Sequence, residues 1–187
     1  ELSFKKSALL LWPISALAWA SIAYYIFSIN IGAESDIFAV TRLLYYGLLV
    51  IAPVTAAIPI CRLTDSRIFW FESLIYWAGL LNMFTFVPPD RYGLPGYLLF
   101  MVMFFGACYT IFMPIGYAIG FRLFTLRAHK RDVNRARREA YLLALFLALS
   151  AAMNVAGLFN LINAVLLLLI LILIELFALA HKAGSEA

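Results

Sequence analysis

A chain of 187 residues in which 65% are hydrophobic and only 13% charged departs from soluble domains, where the averages are about half and about a quarter. That composition excludes a water-soluble globular core. The formal charge of +4 does not imply a nucleic-acid partner, because the basic residues sit in short segments between apolar runs.

The expected fold is all-α: a polytopic transmembrane helical bundle of about six spans, forming a single membrane domain over residues 1–187 with the lipid bilayer as its immediate partner. A crossing helix needs about 20 residues. The first predicted span covers 7–31, preceded by Lys5 and Lys6. Ala18-Trp19-Ala20 resembles the cleavage site of a secretory signal peptide, but hydrophobicity continues through Phe27, which favours an uncleaved helix. The chain begins with Glu1 and not with methionine, leaving room for residues upstream.

The second span is predicted at 37–60 and the third at 68–87, with Glu34, Ser35 and Asp36, then Thr64, Asp65 and Ser66, offering capping side chains between them. Prolines and glycines over 88–96 forbid a continuous helix before the fourth span at 97–120. A basic loop at 121–140 follows, in which Asp132 is placed to cap a helix running through Arg135, Arg137 and Arg138 into the fifth span at 141–157. Only Gly157, Asn160 and Asn163 separate the fifth span from the sixth at 160–180. One helix of that combined length would overshoot a bilayer, so a tight hairpin is expected.

Lys5, Lys6, Arg62, Arg67, Arg122, Arg127, Lys130, Arg131, Arg135, Arg137, Arg138 and Lys182 all fall on one side of this arrangement, against Arg91 alone in a loop on the other. By the positive-inside rule both termini are cytoplasmic, and the expected location is a cytoplasmic membrane of bacterial type. Arg127, Lys130, Arg131, Arg135, Arg137 and Arg138 are candidates to meet anionic headgroups or an acidic partner.

Small residues at a spacing of four mark surfaces where membrane helices approach closely. The fifth span carries Ala140, Ala144, Ala148, Ala152 and Ala156, the fourth Gly116 and Gly120, and the first Ala16 and Ala20. The sixth, uniformly Leu and Ile over 166–174, suits lipid exposure. Pro53, Pro59 and Pro114 each remove a helical hydrogen bond. A parallel repeat of helical hairpins is also suggested: Trp12, Ser15, Trp19 and Ala20 align with Trp70, Ser73, Trp77 and Ala78, and Pro53 aligns with Pro114.

Three ionisable residues within spans form a candidate intramembrane polar site, since such groups are costly in lipid. Arg42, with Tyr45 and Tyr46 on its face, either binds a carboxylate or phosphate or snorkels towards Asp36 and Glu34. Glu72 lies near Arg67 and a helix N-terminus, and Glu175 lies near His181 and Lys182. The two glutamates could instead share one cytoplasm-facing proton or cation site.

No GxSxG elbow, HExxH pair, P-loop or dinucleotide turn occurs, and His129 and His181 lie at or beyond the same boundary. Catalytic residues, a metal site and cofactors are therefore not expected. Cys61 and Cys108 are predicted at different depths, which disfavours a disulfide. In size, span number and direction the chain looks like the substrate-binding membrane components of energy-coupling-factor vitamin transporters. Ala16 and Ala20 are the residues that match their use of small residues on the first helix to meet a partner. The leading expectation is a non-catalytic subunit or scaffold of a membrane complex, with a membrane protein or a second copy as partner. The alternative is a small-solute or ion transporter, or a transporter's substrate-binding component.

Overall fold

A computed structural model describes residues 2–34, 36–87, 89–123 and 132–185, and these are all-helical with no strand. The α-helices are α1 (Leu2–Tyr24), α2 (Val40–Thr64), α3 (Phe69–Phe86), α4 (Pro89–Leu123), α5 (Val133–Val155) and α6 (Leu161–Ser185). Four of them are long and apolar enough to cross a membrane, namely α1 with its extension, α2, α4 and α5. The 18-residue α3 is diluted by Trp70, Glu72, Trp77 and Asn82, and the apolar part of α6 covers Leu161–Phe177.

Each helix packs on the next in sequence, and the most extensive interface joins α4 to α5. Neighbours run antiparallel: α3 and α4 meet at Glu72 with Tyr109 and at Gly79 with Met103, and α5 and α6 meet at Arg138 with Glu175. This serpentine path gathers the ends of α2, α4 and α6 and the starts of α1, α3 and α5 at one pole. Arg62, Arg67, Arg122, Arg135, Arg137 and Arg138 lie there with the first turns of α1, which hold Lys5 and Lys6. Arg127, Lys130 and Arg131 lie outside the described residues.

The breaks have local causes. After α1 the chain widens into a π turn at Tyr25–Ile29 and is closed by Asn30 in the left-handed region (φ 52°), which asparagine tolerates better than most residues. A 3₁₀ turn over Ile31–Ala33 follows, and Asp36 Oδ1 accepts from the Phe38 amide at 2.9 Å, turning the chain so that α2 starts at Val40 and not at 37. The side-chain caps expected ahead of α2 and α3 are not used. Ala39 and Ile68 occupy those positions without a side-chain cap bond, and Asp65 instead ends α2 in the left-handed conformation. Gly93 (φ 59°, ψ −145°) breaks α4 near its start, within the stretch where the prolines forbid continuous helix. Gly157 (φ 70°) turns the chain between α5 and α6, and Asn160 Oδ1 accepts from the Asn163 amide at 2.7 Å.

Helix α5 begins eight residues earlier than the apolar pattern alone suggests, so residues 133–140 of the predicted basic loop are helical. Asp132 caps it, its carboxylate accepting from the Arg135 amide at 3.1 Å. Replacing Asp132 by Ala is expected to cost about 1 kcal/mol and to fray the turn that carries Arg135. Hydrogen exchange at the amides of residues 133–136 should rise, and unchanged protection would show that the cap is dispensable.

The core has two parts. Ala57, Phe69, Cys108, Tyr109, Met113, Ala140 and Ala144 fill the half nearer the basic pole, and Ala18, Ile22, Ile31, Tyr45, Leu49 and Ala52 fill the other. Cys61 and Cys108, expected at different depths, are separate thiols that touch the same cluster. The alanine stripe of α5 is buried at Ala136, Ala140, Ala144 and Ala148, while Ala152 is half-buried and Ala156 exposed. The packing surface thus sits one turn closer to the basic pole than the predicted stripe. It faces α4, where a side chain on Gly116 would contact Glu139 and Ala136, and one on Gly120 would overlap the Arg135 guanidinium.

Two hydroxyl relays tie successive helices. Thr85 Oγ1 donates its one proton to Leu81 O at 2.7 Å, so Tyr45 on α2 is the donor in the 2.9 Å contact between the two hydroxyls. Likewise Trp77 Nε1 donates to Thr110 Oγ1 at 2.9 Å, and Thr110 donates to Ala107 O. Trp19 and Trp77, an aligned pair of the suggested repeat, meet edge to face at 4.9 Å, and the aligned Ser15 and Ser73 are both buried.

Candidate polar site at the basic pole

Arg42, Glu72 and Glu175 do not form one site. Arg42 falls in the first turn of α2, closer to the helix end than the predicted span implies, at the pole opposite the glutamates. Its guanidinium lies over the ring of Phe86, the last residue of α3, at 4.3 Å. Phe86 also packs against Tyr45 and Tyr46. A cation over a ring face is worth roughly 0.5–1 kcal/mol when exposed and more when desolvated. Among the described residues no carboxylate pairs with Arg42, and its Nε has no hydrogen-bond partner. Neither anticipated acceptor, Asp36 or Glu34, is engaged.

The glutamates meet arginines from α5. Arg137 donates from one terminal nitrogen to both oxygens of Glu72, at 2.9 and 3.0 Å, and the Tyr109 hydroxyl donates to Glu72 Oε2 at 3.1 Å. The Tyr109 ring stacks on Tyr141 at 4.3 Å, which in turn stacks on Phe105. Glu72 therefore joins α3, α4 and α5 through one carboxylate, and its partner is Arg137 where sequence proximity pointed to Arg67. The helix N-terminus still favours its charge, since Glu72 lies in the first turn of α3.

Glu175 pairs with Arg138, Oε1 to Nε at 2.5 Å, as an ionic contact and not an aligned hydrogen bond. Arg137 and Arg138 are adjacent, so they leave α5 about 100° apart and reach different neighbours. The two carboxylates thus share no partner. Arg135 pairs with Glu139 one turn on, at 3.5 Å.

Sequence spacing could not reveal this division, because Glu72 and Arg137 are 65 positions apart. The one available signal was the adjacency of Arg137 and Arg138 ahead of an apolar helix. Tyr109, fully buried and bonded to Glu72, was missed, as nothing distinguishes it from nine other tyrosines.

Two cavities lie at this pole. One of about 940 Å³ opens where the ends of α2 and α4 part beside the start of α5, with Arg62, Asp65, Tyr117 and Arg122 among its lining. The other, about 400 Å³, is an apolar groove between α5 and α6 with Glu139 and Glu175 at its end. Neither contains Arg42 or Glu72. Among the described residues no group of three or more metal-ligating side chains occurs. No protein-family model matches the chain, and comparison with curated proteins and with solved structures finds no match.

Proposed function

We propose that the chain is an integral protein of a cytoplasmic membrane of bacterial type, crossing six times with both ends in the cytoplasm, and that it serves as a non-catalytic subunit or scaffold of a membrane complex. The membrane reading is supported by the outward display of large apolar side chains, among them Leu17, Phe27, Leu161, Ile162, Leu173 and Phe177. Water tolerates no such continuous surface on a lone soluble domain. The orientation is supported by the collection of basic residues at one pole.

The subunit reading rests on one observation: each glutamate inside a helix of this pole is neutralised by its own arginine from α5. A carrier that worked through one of these carboxylates would need it to exchange its counter-ion. Here both act as struts between helices. Affinity capture from native membranes in mild detergent is expected to bring down a partner in fixed stoichiometry. Recovery of the chain alone, as a monodisperse single species, overturns the reading.

The second reading, a small-solute or ion transporter or its substrate-binding component, is favoured by the 940 Å³ cavity. Its size falls within the range of small-molecule sites. Uptake into liposomes containing only this chain distinguishes the two.

A further inference from the structure

Between Glu139 and Glu175 the chain carries no charged residue, so the turn joining α5 to α6 lies within the longest uncharged stretch of the sequence. Large apolar side chains are displayed on it: Leu158, Phe159, Leu161 and Ile162 are 60%, 49%, 80% and 71% exposed. The link between α1 and α2, at the same pole, instead exposes Glu34 and Asp36.

The turn directs its polar groups inward. The carbonyls of Ala152, Met153, Asn154 and Asn160 accept from the amides of Ala156, Leu158, Gly157 and Ala164. Asn163 Nδ2 donates to Leu158 O at 2.7 Å, and Asn160 Oδ1 accepts from the Asn163 amide at 2.7 Å. Water would supply donors to a carbonyl left open in such a turn, whereas acyl chains supply none. Two asparagine side chains thus take the place of water.

Level points the same way. On the membrane reading the contact between Arg138 and Glu175 stands at the cytoplasmic edge of the hydrocarbon. By helix rise Leu161 then lies about 21 Å above it and Val155 about 26 Å above it. The hydrocarbon is about 30 Å thick, so the turn reaches its outer boundary with no polar segment to carry it further. Its side chains also continue the exposed surface of α6 at Val165, Leu166, Leu169 and Leu173. Bulky residues there hold a neighbouring helix backbone at a distance, and lipid is the occupant that adapts to them.

We propose that the turn at 156–162 is a lipid-contacting surface, seated at the outer boundary of the hydrocarbon with Leu158, Phe159, Leu161 and Ile162 among the acyl chains of that leaflet. The inference rests on the membrane reading above and adds to it the surroundings of one turn. The C-terminus keeps its side.

The test uses the full chain with Cys61→Ser and Cys108→Ala, in phosphatidylcholine nanodiscs that leave both faces open. Single cysteines are introduced by Leu158→Cys, Leu161→Cys, Glu34→Cys and Leu173→Cys, all at exposed positions. A charged, membrane-impermeant maleimide is expected to label Glu34→Cys readily. It should label both turn variants and Leu173→Cys at least about tenfold more slowly, since reaction needs a thiolate, which apolar surroundings disfavour. Turn cysteines labelled as fast as Glu34→Cys overturn the proposal. Leu173→Cys labelled as fast as Glu34→Cys refutes the membrane reading itself, so the two failures are distinct.

Protection by lipid is separated from protection by protein with a bimane fluorophore, attached to each turn cysteine in detergent before reconstitution. Phosphatidylcholine brominated on its acyl chains should quench it more strongly than aqueous iodide does. Stronger quenching by iodide places the turn in water, and quenching by neither places it against protein; each overturns the proposal. The two turn positions are read independently, so failure of one variant to fold leaves the other to decide.

Discussion

Replacing Glu72 by Gln is expected to lower stability by about 2 kcal/mol. Breaking a fully buried ion pair by removing one partner costs about 3–5 kcal/mol, because the remaining charge stays desolvated. Here the side chains of Arg137 and Glu72 retain 26% and 20% of their exposure, and solvent screening reduces the figure. The amide that replaces the carboxylate still accepts one bond, but Arg137 loses its counter-charge and Tyr109 its charged acceptor. For a chain of this length about 2 kcal/mol corresponds to roughly 4–8 °C in Tm.

Two double variants separate charge from shape. Glu72→Leu with Arg137→Leu removes both charges and should recover most of the loss, since apolar replacement of a buried pair is often neutral or better. Glu72→Arg with Arg137→Glu should recover less, because it places a positive charge in the first turn of α3, where the helix dipole opposes it. Thermal unfolding in detergent can be followed by exposure of the buried Cys108 thiol in a Cys61→Ser background. A Glu72→Gln chain that melts with wild type would remove the pair from any structural role.

The second large effect is expected at Gly106, and it should be much greater than at Gly120. A Cβ on Gly106 would overlap the ring of Tyr76, a rigid group on the facing helix α3. Accommodating even a methyl group requires α3 and α4 to separate, and Gly106→Val should cost about 3 kcal/mol, the upper part of the range for overpacked cores. A Cβ on Gly120 overlaps only the guanidinium of Arg135, the far end of a flexible side chain. Gly120→Ala should therefore cost under about 1 kcal/mol, partly offset by the better helix propensity of alanine. Melting curves of the two variants check this, and equal destabilisation would show that Arg135 is as immovable as the tyrosine ring.

The contrast also shows where sequence patterns inform and where they do not. Gly116 and Gly120 were visible as a small-residue pair because they repeat at four. Gly79 and Gly106 face large side chains, Met103 and Tyr76, across the α3–α4 interface and belong to no repeat. Their signal is a lone glycine among bulky residues, as in Phe104-Phe105-Gly106, and it acquires meaning only once the opposing helix is known.

The succession of helices was legible, since apolar runs of fixed length separated by proline, glycine and charge follow from the chain's local chemistry. The cap at Asp132, and with it the start of the helix through Arg135, Arg137 and Arg138, was legible for the same reason, whereas the apolar pattern alone starts the span at 141. Hydropathy over 133–140 is depressed by Arg135, Arg137 and Arg138, but burial of Ala136 and Ala140 against α4 and the partners of Arg137 and Arg138 on other helices sustain the helix there. The pairing of Glu72 with Arg137 and of Glu175 with Arg138 depends on three-dimensional adjacency that no one-dimensional spacing encodes. Arg42 was legible as an unusual residue but not as a cation resting on Phe86, which arrives from the end of another helix.

The contact between Arg138 and Glu175 bears on biogenesis. The two residues lie on α5 and α6, joined by the turn at Gly157, so that pair carries its own counter-charge. On the membrane reading proposed above, a glutamate entering hydrocarbon alone pays a desolvation penalty, smaller near the surface than at the centre of the bilayer. One that enters already folded against an arginine of the same hairpin travels as a neutral dipole. On that reading, α5 and α6 therefore bury this carboxylate without needing a charge partner from α1 to α4.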